Sequence, residues 1–200
     1  MTRHAIERLV LLAWIFAVLD STTVRSGSLQ SAVPLIDAAQ IVGVIQDYRD
    51  GLASVRSANP DVRLSVKADS GTGDERVLVV EYPTATGDPA GRDVRCTAEH
   101  QDWTSGRAVS FRIKPGHAMR LSLSFVDRNR VAYTAWIELT GSGWQVVRIP
   151  FDEMRPNPYF QPPDARTGAP LDVSEVKGIA FAPQDPISGR LEIGKFVVSN

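Results

Sequence analysis

Cysteine is almost missing from this chain of 200 residues, with Cys96 the sole example. No intrachain disulfide can form, and a lone Cys usually serves as a small buried hydrophobe. Histidine is scarce as well. His4, His100 and His117 are scattered, and with no second Cys beside them they draw no zinc pattern. No charge sign predominates: 22 Lys plus Arg stand against 23 Asp plus Glu, a formal net charge of −1. The chain therefore lacks the basic footprint of a nucleic-acid-binding surface, and nothing draws it strongly to anionic membranes. It also lacks a G-x-S-x-G nucleophile turn, an H-E-x-x-H zinc helix and a Gly-rich phosphate loop. Carboxylates such as Asp47, Asp50, Asp102, Glu138, Asp152 and Glu153 are present, but no spacing picks out a glycosidase pair. An enzyme needs reacting groups placed together, so no enzyme is expected.

Helical periodicity is the last thing absent. The strongest helix signal is Asp172–Val176, one turn at most. What the chain does contain is short β-branched runs separated by Gly- and Pro-rich turns. Strands are predicted at 62–67, 76–82, 108–114, 120–126, 131–139, 144–149, 178–182 and 190–198. Regular spacing of this kind predicts an all-β fold with two packed antiparallel sheets. A chain of this length buries one core, and one domain is expected.

The first residues differ from the rest. Arg3 and Arg8 precede an apolar run, 9–19, that is short for a membrane span and stops at Asp20. This pattern reads as a secretory signal peptide over 1–28, with an uncleaved anchor or an internal apolar helix as the alternative, and implies a secreted or periplasmic protein. Residues 29–43 form a lead-in segment, and 44–200 the folded module.

Alternation assigns faces, because successive side chains of a strand point opposite ways. Leu121, Leu123 and Phe125 share one face, and Ser122 and Ser124 the other. In the next strand Val131, Tyr133, Ala135, Ile137 and Leu139 are the apolar set. Trp136 therefore falls on the polar face with Thr134 and Glu138. Either another segment covers that ring or it stacks on a ligand. Tyr159 and Phe160 raise a parallel question, since they sit between prolines in a loop. They either plug the end of the core or form a stiff platform.

Several segments in order carry a resemblance. They are Ile45-Gln-Asp-Tyr-Arg-Asp-Gly51, Val79-Val-Glu-Tyr82, Gln101-Asp-Trp-Thr-Ser105, Gly143-Trp-Gln-Val-Val-Arg-Ile-Pro-Phe151, Phe160-Gln-Pro-Pro163, Leu171-Asp-Val-Ser174 and Ser188-Gly-Arg-Leu-Glu-Ile193. Together, over roughly 41–198, they resemble the family-eleven carbohydrate-binding modules and the related complex I intermediate-associated protein domain. The resemblance implies a galactose-binding-like jelly roll, a β-sandwich that binds a β-glucan through tyrosines and polar side chains. By the Gln-Pro-Pro register, the family's binding Tyr falls on Phe160, a neighbouring Asp on Tyr159 and an Arg on Asn157. A further binding Asp falls on Arg130, the Tyr before the last loop on Pro183, and a nearby Asp on Lys177. The family's calcium ligands fall on Gln46, Asp47 and Gly194.

Two readings follow. In the first, a secreted non-catalytic module binds a polysaccharide, a β-glucan or an acidic one. Trp136, Tyr159 and Phe160 are then stacking surfaces, and Asn157, Arg155 and Arg130 supply hydrogen bonds. Trp144 and Phe151 are expected in the core. In the second, the same sandwich binds a protein partner, as the complex I relatives suggest. No cofactor is expected, and calcium is doubtful given Gln46 and Gly194.

Overall fold

The computed structural model describes residues 35–71, 75–82, 92–184 and 188–200, apart from the side chains at 98 and 99. The signal-peptide reading of 1–28 lies outside the described residues. Among the described residues, twelve strands follow in chain order. They are β1 (Ile41–Gln46), β2 (Val55–Ser57), β3 (Arg63–Ala68), β4 (Arg76–Tyr82), β5 (Val94–Gln101) and β6 (Ala108–Pro115). Then come β7 (Met119–Val126), β8 (Ala132–Leu139), β9 (Gln145–Pro150), β10 (Arg155–Pro156), β11 (Val176–Pro183) and β12 (Gly189–Ser199). Every pairing is antiparallel.

The first sheet runs β3-β4-β12-β6-β9, with β1 also on β12; the second runs β10-β8-β7-β11-β5-β2. The expected all-β sandwich is what forms. β1 begins at Ile41, inside the stretch read as a lead-in. The core lies between the sheets. Leu78, Val80, Phe111, Ile113, Leu191, Ile193 and Phe196 come from the first sheet. Val94, Leu121, Leu123, Phe125, Tyr133, Ile179 and Phe181 come from the second. Each fully buried large side chain contributes about 1.5–3 kcal/mol. Trp103 closes one end. Its ring meets Phe125 edge-on at 5.1 Å and stacks on half-buried Phe151 at 6.2 Å.

The face assignments of β7 and β8 hold. Leu121 pairs with Ile137, Leu123 with Ala135 and Phe125 with Tyr133, all toward the core. Ser122 pairs with Trp136 and Ser124 with Thr134, on the outer side.

Two local expectations fail. Asp172–Val176 is not helical. The Asp172 carboxylate accepts from the Ser174 backbone N–H and hydroxyl, forming a side-chain-to-backbone turn that ends where β11 starts at Val176. Trp144 is not in the core. It precedes β9 on the parity of outward Val146, which is paired with Arg112. There it is half-buried beneath the Arg112 guanidinium, 5.0 Å from the ring centre.

Candidate functional site

The outer face of the second sheet carries most of the residues the sequence singled out. Cross-strand partners point to the same side, so the register defines rows across the sheet. One unbroken row runs Arg155, Thr134, Ser124, Ala180, Arg95, Arg56, from β10 to β2. Five strand spacings make it about 24 Å long. The adjacent row holds Trp136, Ser122 and Ala182. A third pairs Glu138 with Arg120 through an ion pair of 2.6 Å. Small side chains thus occupy the middle of the face and large ones its borders.

Trp136 is 44% exposed, beyond the short stretch of β8 that β10 covers, and no other aromatic ring stacks on it among the described residues. Its neighbours Ser122 and Ala182 leave the ring open on that side. The Ser122 hydroxyl donates to the Ala182 carbonyl and accepts from Gln184 Nε2 at 2.9 Å. In the row below, Asn157 Nδ2 donates to Thr134 Oγ1 at 2.9 Å, and that hydroxyl lies 2.5 Å from Ser124 Oγ. A polar chain therefore runs from the aromatic loop into the sheet.

That loop is held from beneath. Asn157 Oδ1 accepts from the backbone N–H groups of Tyr159 and Phe160. Gln161 imitates a strand neighbour, accepting from Ala132 N and donating to Ala132 O. The rings above are free, Tyr159 being 88% exposed and Phe160 61%. The two aromatics therefore do not plug the core; they stand on a loop that Asn157 ties to Thr134, one pleat repeat along β8 from Trp136.

The remaining expected residues sit as follows. Arg155 begins the long row, and its Nη1 donates to the carbonyls of Asp152 and Met154. Arg130 lies in the β7–β8 turn with φ +64°, a left-handed conformation that costs a non-glycine residue about 1 kcal/mol. Its Nε is 3.1 Å from Asp164 Oδ2, an ion pair bent away from hydrogen-bond alignment. Pro183 faces inward opposite Leu121 and is buried. Lys177 sits at a register shift of β11 and is exposed. Ser122, Ser124, Thr134, Arg95 and Arg56 were not among the expected ligand residues. Alternation had placed the first three on the polar side, but nothing local joins β2 and β5 to that face.

The positions that the resemblance assigns to calcium do not make a ligand set. Gln46 donates its amide to Ser54 Oγ at 2.6 Å, and Asp47 pairs with Arg49 at 3.0 Å. Gly194 has no side chain to offer a metal, and it lies against Arg112. The Arg112 guanidinium is 3% exposed and binds Asp69 at 2.5 Å and Glu75 at 3.1 Å. A side-chain cation thus neutralises the buried carboxylate of Asp69, and a hard metal ion would need several more free oxygen ligands. Among the described residues there is no cluster of three potential metal ligands.

Cys96 is the buried hydrophobe expected of it. Burial pushes its thiol up to about 12. Two hollows, of about 230 and 510 Å³, lie elsewhere, one beside Val42 and Trp103 and the other beside Arg107 and Phe151. The outer face is an open surface, a shape suited to a polymer.

Comparison with solved structures gives the same architecture. A family 11 carbohydrate-binding module from Clostridium thermocellum, in complex with a β-1,3-1,4-mixed-linked tetrasaccharide, superposes with a TM-score of 0.62 at 21% identity. The match covers 78% of this chain and 95% of that one. The family 11 module of the cellulosomal cellulase Lic26A-Cel5E of the same organism gives a TM-score of 0.59 at 21% identity, over 80% and 96% of the two chains. A family 30 module of the cellulase Cel9D-Cel44B, also from Clostridium thermocellum, gives 0.52 at 14% identity, over 80% and 94%. No match was found among curated proteins. Residues 31–196 match the carbohydrate binding domain (family 11). The chain therefore belongs to the family 11 carbohydrate-binding domains, a non-catalytic domain type.

Proposed function

We propose that this chain is an exported module that binds a polysaccharide laid across the outer face of the second sheet. The observation that carries the reading is Trp136, exposed to 44% on a face whose neighbouring positions are Ser122 and Ala182. An apolar ring bordered by two small residues, one of them a serine, offers a pyranose a stacking surface beside a hydroxyl. Tyr159 and Phe160 extend the aromatic surface on a loop whose prolines and Asn157 limit the entropy lost on binding. Asn157 acts by positioning that loop, and Arg155 borders the face. Membership of the family and the mixed-linkage glucan bound by its relative support an extended glycan as ligand. Export rests on the charge and apolar pattern of residues 1–28.

The test is affinity electrophoresis of the protein through gels containing neutral and acidic polysaccharides. At least one should retard the wild type, and Trp136→Ala should weaken that retardation about tenfold or more, as expected for an aromatic anchor. Equal retardation of wild type and variant by every ligand would remove the outer face as the site.

A further inference from the structure

The long row on the outer face has a charge pattern that a neutral glycan does not explain. Arg95 of β5 and Arg56 of β2 are directly opposite each other, both exposed. Like charges directly opposite in an antiparallel pair are destabilising. Arg95 is paired in sequence-local fashion with Asp93, Nε to Oδ2 at 2.6 Å. The Arg56 side chain has no ion pair or hydrogen bond among the described residues. At the other end of the same row, Arg155 is held by two backbone carbonyls and meets no carboxylate among the described residues. Between these ends lie Thr134, Ser124 and Ala180, none of them charged. Among the described residues, the three guanidinium groups of the row are met by one carboxylate, that of Asp93, on a chain whose net charge is −1. The positive charge is local to the face and does not come from a generally basic protein.

We propose that the ligand of this face is an anionic glycan, carrying carboxylate or sulfate ester groups, whose anions are met by the Arg56–Arg95 pair while the chain stacks on Trp136. This rests on the polysaccharide reading above and adds the charge of the ligand to it. Guanidinium is suited to the task because its planar fork donates two parallel hydrogen bonds to carboxylate or sulfate oxygens. The cross-strand pair places two such forks side by side. An anion between them would convert the mutual repulsion of the free state into two attractions. Energy that is unfavourable before binding is relieved by it, which favours charged over neutral ligands at this position.

The experiment titrates the full chain calorimetrically with polygalacturonate, a sulfated galactan and a neutral mixed-linkage β-glucan, at low and moderate salt. The variants are Arg56→Gln with Arg95→Gln, and separately Trp136→Ala. The wild type should bind one or both polyanions at least about tenfold tighter than the neutral glucan, with affinity falling as salt screens the contact. The double Arg variant should lose about tenfold or more on the polyanion and keep its affinity for the neutral glucan. Trp136→Ala should weaken both. The two polyanions separate carboxylate from sulfate recognition. Neutral binding equal to or tighter than polyanion binding overturns the anionic assignment while leaving the polysaccharide reading intact. Polyanion binding unchanged in the double Arg variant overturns it as well. Binding of none of the three sugars by folded protein overturns both.

Discussion

Asn157→Ala separates positioning of the aromatic platform from contact with ligand. Asn157 makes three side-chain hydrogen bonds, to Thr134 Oγ1 at 2.9 Å and from the N–H groups of Tyr159 and Phe160 at 2.9 and 3.1 Å. Net values of about 0.5–1.5 kcal/mol per bond bound the loss. The two N–H groups belong to exposed residues and regain water, and buried Thr134 keeps Ser124 as a partner. The stability loss should therefore sit near the lower end, at about 1–2 kcal/mol. That is a fall in Tm of roughly 2–8 °C for a domain of this size. Gln161 still ties the loop base to Ala132, so the fold persists. Binding suffers separately. If the two rings must be ordered when ligand arrives, the cost is about 0.5–1.5 kcal/mol for each, or roughly fivefold to a hundredfold in affinity. The assay is a double-mutant cycle of Asn157→Ala with Phe160→Ala, read by glycan titration and by urea unfolding. Phe160→Ala should weaken binding in the wild-type background and have little further effect once Asn157 is gone. Additive losses, or wild-type affinity in Asn157→Ala, would refute the positioning role.

Other outcomes follow from the same geometry. Trp136→Ala should cost binding while leaving Tm within about 2 °C, because the ring lies outside the core; a large stability loss by calorimetry would show that the ring packs. Arg112→Met removes the cation bound to buried Asp69 and should destabilise by about 3–5 kcal/mol in urea unfolding, with a loss below about 1 kcal/mol contradicting the neutralising role. Calcium followed by chelator should leave Tm unchanged, since the residues at the implied ligand positions are otherwise engaged; a rise of several degrees with calcium would overturn this. Cys96 should resist thiol reagents at pH 8 in the folded protein. Its raised folded value means that the native state holds its proton where the unfolded chain has lost it. Its contribution to stability is thus complete below about pH 9 and is lost as pH rises toward 12, measurable by unfolding at pH 8 and 10.5.

The architecture was legible because antiparallel strands with one core face alternate visibly. β7 and β8 are the clearest cases, and Trp136 stood out for being on the wrong side of that pattern. β5 was not legible: Val94 and Cys96 face inward, but Arg95, Thr97, His100 and Gln101 dilute any apolar run. β10 is two residues long and exists because Arg155 and Pro156 extend the edge of β8. Trp144 looked like core because its strand is apolar; its cover is Arg112, brought there by the β6–β9 register. The site followed the same division. Trp136, Tyr159, Phe160 and Asn157 lie close in sequence or stand out by type. The Arg56–Arg95 pair is created by pairing of distant strands, and neither residue announces it alone.

The central claim is that the outer face of the second sheet receives the glycan. Amide chemical-shift mapping of the labelled protein during titration with a binding polysaccharide fragment tests it most directly. The account predicts shifts concentrated at Ser122, Ser124, Thr134, Trp136 and Ala180, with Tyr159 and Phe160 in the flanking loop. Shifts confined to the opposite sheet, at Val42, Val44 and Val146, would contradict it.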